Sequence, residues 1–192
     1  MSPKPFIGPL IFVLIFSTGC ARIVKETSGE APVGTQDNNL TYGRVIDDGL
    51  IDTYVTANIM KAHEDFENAN YNVISHNGIV LLVGQVQTEE LRTLAEQAAK
   101  QVANVRRIHN ELVVAGASSL PARGSDTWIK SKIKSRMLTT SGVNPLRVKV
   151  IVSNGVVYLM GRVSQFEAKR AVEVVHRTYG VQKIVKVFEY LD

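Results

Sequence analysis

The side chains able to carry chemistry are few, and most of them stand apart. Cys20 is the only cysteine among 192 residues, so no disulfide forms within one chain. His63, His76, His109 and His176 lack the close spacing of metal ligands. There is no Gly-x-Ser-x-Gly turn to present a nucleophile and no glycine-rich loop to cradle a phosphate. The sequence therefore points to no metal, no cofactor and no catalysis. What does cluster is an indole with cations: Trp128, Lys130, Lys132, Lys134 and Arg136, followed by Leu138. At helical spacing Ile129, Ile133 and Met137 share a narrow stripe suited to a core. Trp128, Lys132 and Arg136 form the neighbouring stripe, and Lys130 and Lys134 lie on the other flank. Such a face suits a phospholipid interface, with the ring at headgroup depth and the cations meeting phosphate. Each basic residue near an anionic surface contributes roughly 1 kcal/mol, and Leu138 is placed to insert beside Trp128. The plainer reading stays open: a tryptophan at a helix start is often a core or staple residue, and basic flanks are often only solvated.

The N-terminus decides which compartment this chemistry meets. Lys4 precedes an apolar run from Phe6 to Phe16, then Ser17-Thr18-Gly19 and Cys20. That is the layout of a secretory signal, and the run is shorter than the roughly 20 residues of a spanning helix. Ser17-Thr18-Gly19-Cys20 resembles the bacterial lipobox, with Ser17 where leucine is usual. The resemblance implies cleavage after residue 19 and acylation of Cys20, which also removes its thiol as a nucleophile. Two or three acyl chains make an anchor effectively permanent. Ala21, rather than aspartate, follows the cysteine, which by resemblance to enterobacterial lipoproteins implies the outer membrane, facing the periplasm. Residues 20–45, with Ser28-Gly29, Pro32, Gly34 and Gln36-Asp37-Asn38-Asn39, read as a tether.

The elements that must position the cluster come in two copies. Val73-Ile74-Ser75-His76-Asn77-Gly78-Ile79-Val80-Leu81-Leu82-Val83-Gly84 is answered by Val150-Ile151-Val152-Ser153-Asn154-Gly155-Val156-Val157-Tyr158-Leu159-Met160-Gly161. Asn-Gly between β-branched runs predicts a hairpin with a type I′ turn at Gly78 and at Gly155. Gly84 and Gly161 are read as structural, marking a bulge or a close backbone approach. A helix follows each hairpin, with apolar faces Leu91, Leu94, Ala95, Ala98, Val102 and Ala168, Ala171, Val172, Val175, Tyr179. Final strands span Arg107 to Val114 and Val181 to Tyr190. Helices Ile51 to Lys61 and Trp128 to Leu138 precede the hairpins, the second capped by Asp126 or Ser125. The fold class is α+β: tandem α-β-β-α-β units over 46–114 and 126–192, each with two helices on one face of a small mixed sheet. Residues 115–125, rich in glycine, serine and proline, link them.

This duplicated hairpin-glycine-helix-strand unit resembles the BON domain of bacterial envelope proteins. The lipobox, Val45-Ile46-Asp47-Asp48-Gly49, Ser125-Asp126-Thr127-Trp128-Ile129 and Val157-Tyr158-Leu159-Met160-Gly161 extend the resemblance to outer-membrane lipoproteins with two such domains. It implies binding of anionic phospholipid such as phosphatidylglycerol or cardiolipin, mainly by the second unit, and support of outer-membrane integrity.

Charge separates the copies independently of any resemblance. Residues 47–114 hold 5 Lys+Arg and 10 Asp+Glu, for −5, whereas 126–192 hold 12 and 5, for +7. Only the second suits an anionic partner. Nucleic acid is not expected, because an exported chain is kept apart from it. The rival reading is an envelope adaptor that recruits a protein partner through its BON units, with the acidic first unit as the docking face.

Overall fold

The computed structural model describes residues 48–115 and 123–191. The signal segment 1–19, Cys20, the tether 20–45 and positions 116–122 of the linker lie outside the described residues. The first unit runs α1 (Asp48–Ala62), a 3-10 turn (Glu64–Glu67), β1 (Asn70–His76), β2 (Ile79–Val86), α2 (Glu89–Lys100) and β3 (Arg107–Val114). The second runs α3 (Arg123–Thr139), β4 (Lys149–Ser153), β5 (Val156–Val163), α4 (Gln165–His176) and β6 (Lys183–Tyr190). In each sheet the middle strand pairs antiparallel with its hairpin partner and parallel with the last strand, in the orders β1-β2-β3 and β4-β5-β6. The class is α+β, as expected.

Local chemistry explains the elements. Asn77 and Gly78 have φ of 52° and 71°, and Asn154 and Gly155 have 52° and 74°. Positive φ at both central positions is what a type I′ turn requires and what Asn-Gly supplies. Thr88 accepts a hydrogen bond from Leu91 N, and Ser164 from Glu167 N, capping α2 and α4. The helices bury their apolar stripes on one face of their own sheet. Ile51, Val55 and Ile59 meet Val80, Leu82 and Leu112 in the first unit; Ile129, Ile133 and Met137 meet Val157, Leu159 and Phe188 in the second.

The opposite sheet faces bury each other. Ile79, Leu81 and Val83 of β2 pack with Tyr158 and Met160 of β5 and Val187 of β6 in a third apolar cluster. The units are therefore joined back to back, with helices outermost. Polar contacts border this seam: Lys149 Nζ donates to the Ser75 carbonyl at 2.7 Å, and Asn77 Nδ2 to Glu189 Oε2 at 2.6 Å. Arg106 and Arg162 also reach Glu189, at 3.1 and 3.5 Å.

Two local expectations are corrected. Tyr179 does not share the α4 core face: the helix ends at His176, its period stops there, and the ring is 87% exposed. Asp126 and Ser125 do not cap α3, because the helix begins at Arg123 and holds both residues within it.

Candidate functional site

The outward face of α3 is set by what its inward face buries. Ile129, Ile133 and Met137 are all but inaccessible, which turns their neighbours to solvent. Trp128 is 47% exposed and Leu138 72%. Lys130, Lys132 and Lys134 are exposed on the same helix. Lys132 Nζ stands 5.5 Å from the centre of the indole, a cation–π arrangement that holds ring and ammonium together. The tryptophan is thus no core residue.

Arg136 belongs to that stripe but is tied elsewhere. Its Nη1 donates to the Arg177 carbonyl and, at 3.2 Å, to Thr178 Oγ1, so it bridges α3 to the end of α4. The structure therefore sets Arg136 apart from the three exposed lysines.

Asp126, the only acid of α3, is also engaged. Its carboxylate accepts from Asn154 N at 2.7 Å and Gly155 N at 2.9 Å, gripping the hairpin turn. Asp48 does the same in the first unit, accepting from Asn77 N at 2.7 Å and Gly78 N at 3.1 Å, with Ser75 Oγ at 2.9 Å. Burial pushes the Asp48 carboxyl up, but the bonds from Asn77, Gly78 and Ser75, and nearby His76, hold it below its ordinary value. With Asp126 satisfied by backbone, no free carboxylate stands on the Trp128 face of the helix.

The four glycines sit where backbone demands them. Gly78 and Gly155 complete the turns. At Gly84 a Cβ would strike the Asn70 carbonyl oxygen, and at Gly161 that of Arg147. Neither takes part in the α3 face. Sequence reasoning missed the two aspartate clamps, although Asp48 and Asp126 keep step with the repeat and signalled themselves in that way.

The arrangement defines a duplicated α+β module whose concentrated chemistry lies on an exposed, cationic and aromatic helix face. Residues 47–116 and 125–192 each match the BON domain family, and the chain belongs to that family, with two BON domains. It is 34% identical over 193 residues to the outer membrane lipoprotein DolP of Haemophilus influenzae, covering 100% of this chain and 99% of that one. The 21 kDa hemolysin of Actinobacillus pleuropneumoniae is 36% identical, over 78% of this chain and 77% of its own. The osmotically-inducible protein Y of Escherichia coli is 29% identical, over 85% and 81%. The chain is an outer-membrane lipoprotein. Among the described residues no helix is long and apolar enough to cross a membrane.

Proposed function

We propose that this protein is a non-enzymatic, periplasm-facing lipoprotein whose second BON domain binds anionic phospholipid and so supports outer-membrane integrity. The observation that carries this reading is the half-exposed Trp128 ring with Lys132 over it, on a helix whose one acid is already occupied. An indole at headgroup depth and cations at phosphate level are complementary to an anionic bilayer surface. The net charge of +7 over 126–192, against −5 over 47–114, orients that unit toward the membrane. Acylation at Cys20 holds the chain at the bilayer and raises the effective concentration of α3 there, so a weak second contact suffices.

Co-sedimentation of the mature chain carrying Cys20→Ser tests this, with vesicles of phosphatidylglycerol or cardiolipin against phosphatidylcholine. Binding is expected to the anionic vesicles alone. Trp128→Glu is expected to weaken it at least tenfold without altering the melting temperature, since the ring is not in the core. Equal binding by the variant, or none by either protein, overturns the reading and leaves the envelope adaptor, with the acidic first unit as its docking face.

A further inference from the structure

Beside the lipid-facing stripe, α3 and α4 part to leave a cleft of about 450 Å³. Arg136, Arg170 and Arg177 line it together with Thr139, Thr140 and Ser141, and Glu173 is its only acid. That volume lies within the range of small-ligand sites.

The first unit supplies a comparison inside the same chain. Its corresponding cleft, between α1 and α2, is about 210 Å³ and is lined by Asn58, Lys61, Gln97 and Gln101 among others. Through the repeat, Arg136 corresponds to Asn58, Arg170 to Thr93 and Arg177 to Lys100. Lys100 is paired with Glu96 at 2.7 Å. Glu173 corresponds to Glu96, yet it turns to Arg170 at 2.6 Å. Arg177 is thereby left with no side-chain partner among the described residues. The same fold is built in the first unit without any arginine here; in the second, Arg136 is held by the Arg177 carbonyl and Thr178 and Arg170 by Glu173, so neither bridge accounts for the Arg177 guanidinium beside them. Like charges brought together in this way are relieved by an anion, and a guanidinium fork matches the oxygens of phosphate.

We infer that this cleft is a phosphate-binding site whose ligand is the phosphate of an anionic glycerophospholipid headgroup. Trp128 lies two helical turns from Arg136, about 12 Å along the axis. Exposed Leu138 immediately precedes the hydroxyl-bearing turn. A headgroup seated in the cleft thus has apolar contacts beside it for the rest of the lipid. The site itself rests on the cleft; only the source of its phosphate rests on the lipid-binding reading above.

The test is titration of the Cys20→Ser mature chain, followed by backbone and arginine Nε chemical shifts. The probes are glycerophosphoglycerol, inorganic phosphate and chloride at matched ionic strength; vesicle co-sedimentation is run in parallel. Saturable shifts at Thr140, Ser141, Arg170 and Arg177 are expected with both phosphates and not with chloride. Arg177→Gln is expected to weaken both headgroup and vesicle binding at least fivefold, and the charge control Lys169→Gln is not. Trp128→Glu is expected to lose vesicles and keep the soluble headgroup. Shifts with phosphate but unchanged vesicle binding in Arg177→Gln would support the site and assign it to free phosphate. Absent shifts, with vesicles still bound through Trp128, would overturn the site and leave the lipid reading standing. Intact phosphate titration without any vesicle binding would overturn the lipid reading alone.

Discussion

At Gly161 the backbone of β5 passes so near the Arg147 carbonyl that any Cβ would collide with its oxygen, and the φ of 155° is one L side chains rarely adopt. The atom met is main chain, so no rotamer change relieves the clash; β4 must move away from β5. Gly161→Ala is expected to destabilise the protein by about 2–4 kcal/mol, at the upper end for single substitutions, as read by urea unfolding. An unchanged midpoint would show that the strands separate here at little cost. Trp128 is the opposite case. Substitutions at exposed positions usually fall within about 0.5 kcal/mol, so its replacement separates binding from folding.

At the scale of elements, the unit is held by a carboxylate in the first turn of one helix reaching the amides of the following hairpin turn. The clamp fixes where α3 sits over β4 and β5, and so which way Trp128 faces. Asp126→Ala leaves the amides of Asn154 and Gly155 without their acceptor. It is expected to cost about 1–3 kcal/mol and to weaken vesicle binding beyond that loss, because α3 is released from its position. Thermal melts with and without anionic vesicles check both effects. An equal loss in the two conditions would show that the clamp has no part in orienting the face. Much of this architecture was legible beforehand. The repeat, both Asn-Gly hairpins, the stripe of Ile129, Ile133 and Met137, and the exposed neighbours of that stripe follow from local periodicity. The clamp was not, because Asp126 reads locally as a helix cap and its true acceptor relation spans 28 residues. Tyr179 misled for a similar reason: it keeps the repeat's spacing after the helix has ended. The back-to-back pairing did leave a trace. Ile79 to Val83 and Val156 to Met160 are continuously apolar, as strands covered on both faces are, but such a run does not say what covers the second face.

For the whole molecule, the covered face is the seam between the two domains, and an acid poorly placed for water lies within reach of a cation that crosses it. Asp52 of α1 is half-buried and its Oδ1 has no hydrogen-bond partner. Burial pushes the carboxyl up to about 6 from its ordinary 3.8, against the pull of Lys149 and of the Ser75 backbone, with Asp48 adding repulsion. Lys149 comes from the second domain and donates to that same Ser75, so its charge reaches Asp52 across the seam. A carboxyl raised in the folded state binds its proton more tightly there than in the unfolded chain. Its contribution is fully present below about pH 4 and is lost as pH rises through about 6. His76, nearby, works in the other direction: burial, Lys149 and Arg162 lower it despite Asp48 and Glu189, so its contribution falls as pH drops through its ordinary value. The difference between wild type and Asp52→Asn isolates the acid. Relative to the variant, the wild-type melting temperature is expected to fall between pH 4 and 6.5 and then level off. If Asp52 is hydrated in solution and titrates normally, the two curves stay parallel over that window. A parallel result would therefore refute the buried placement of Asp52 as the solution state, whereas divergence would show that the carboxyl stays withdrawn from water beside Ser75.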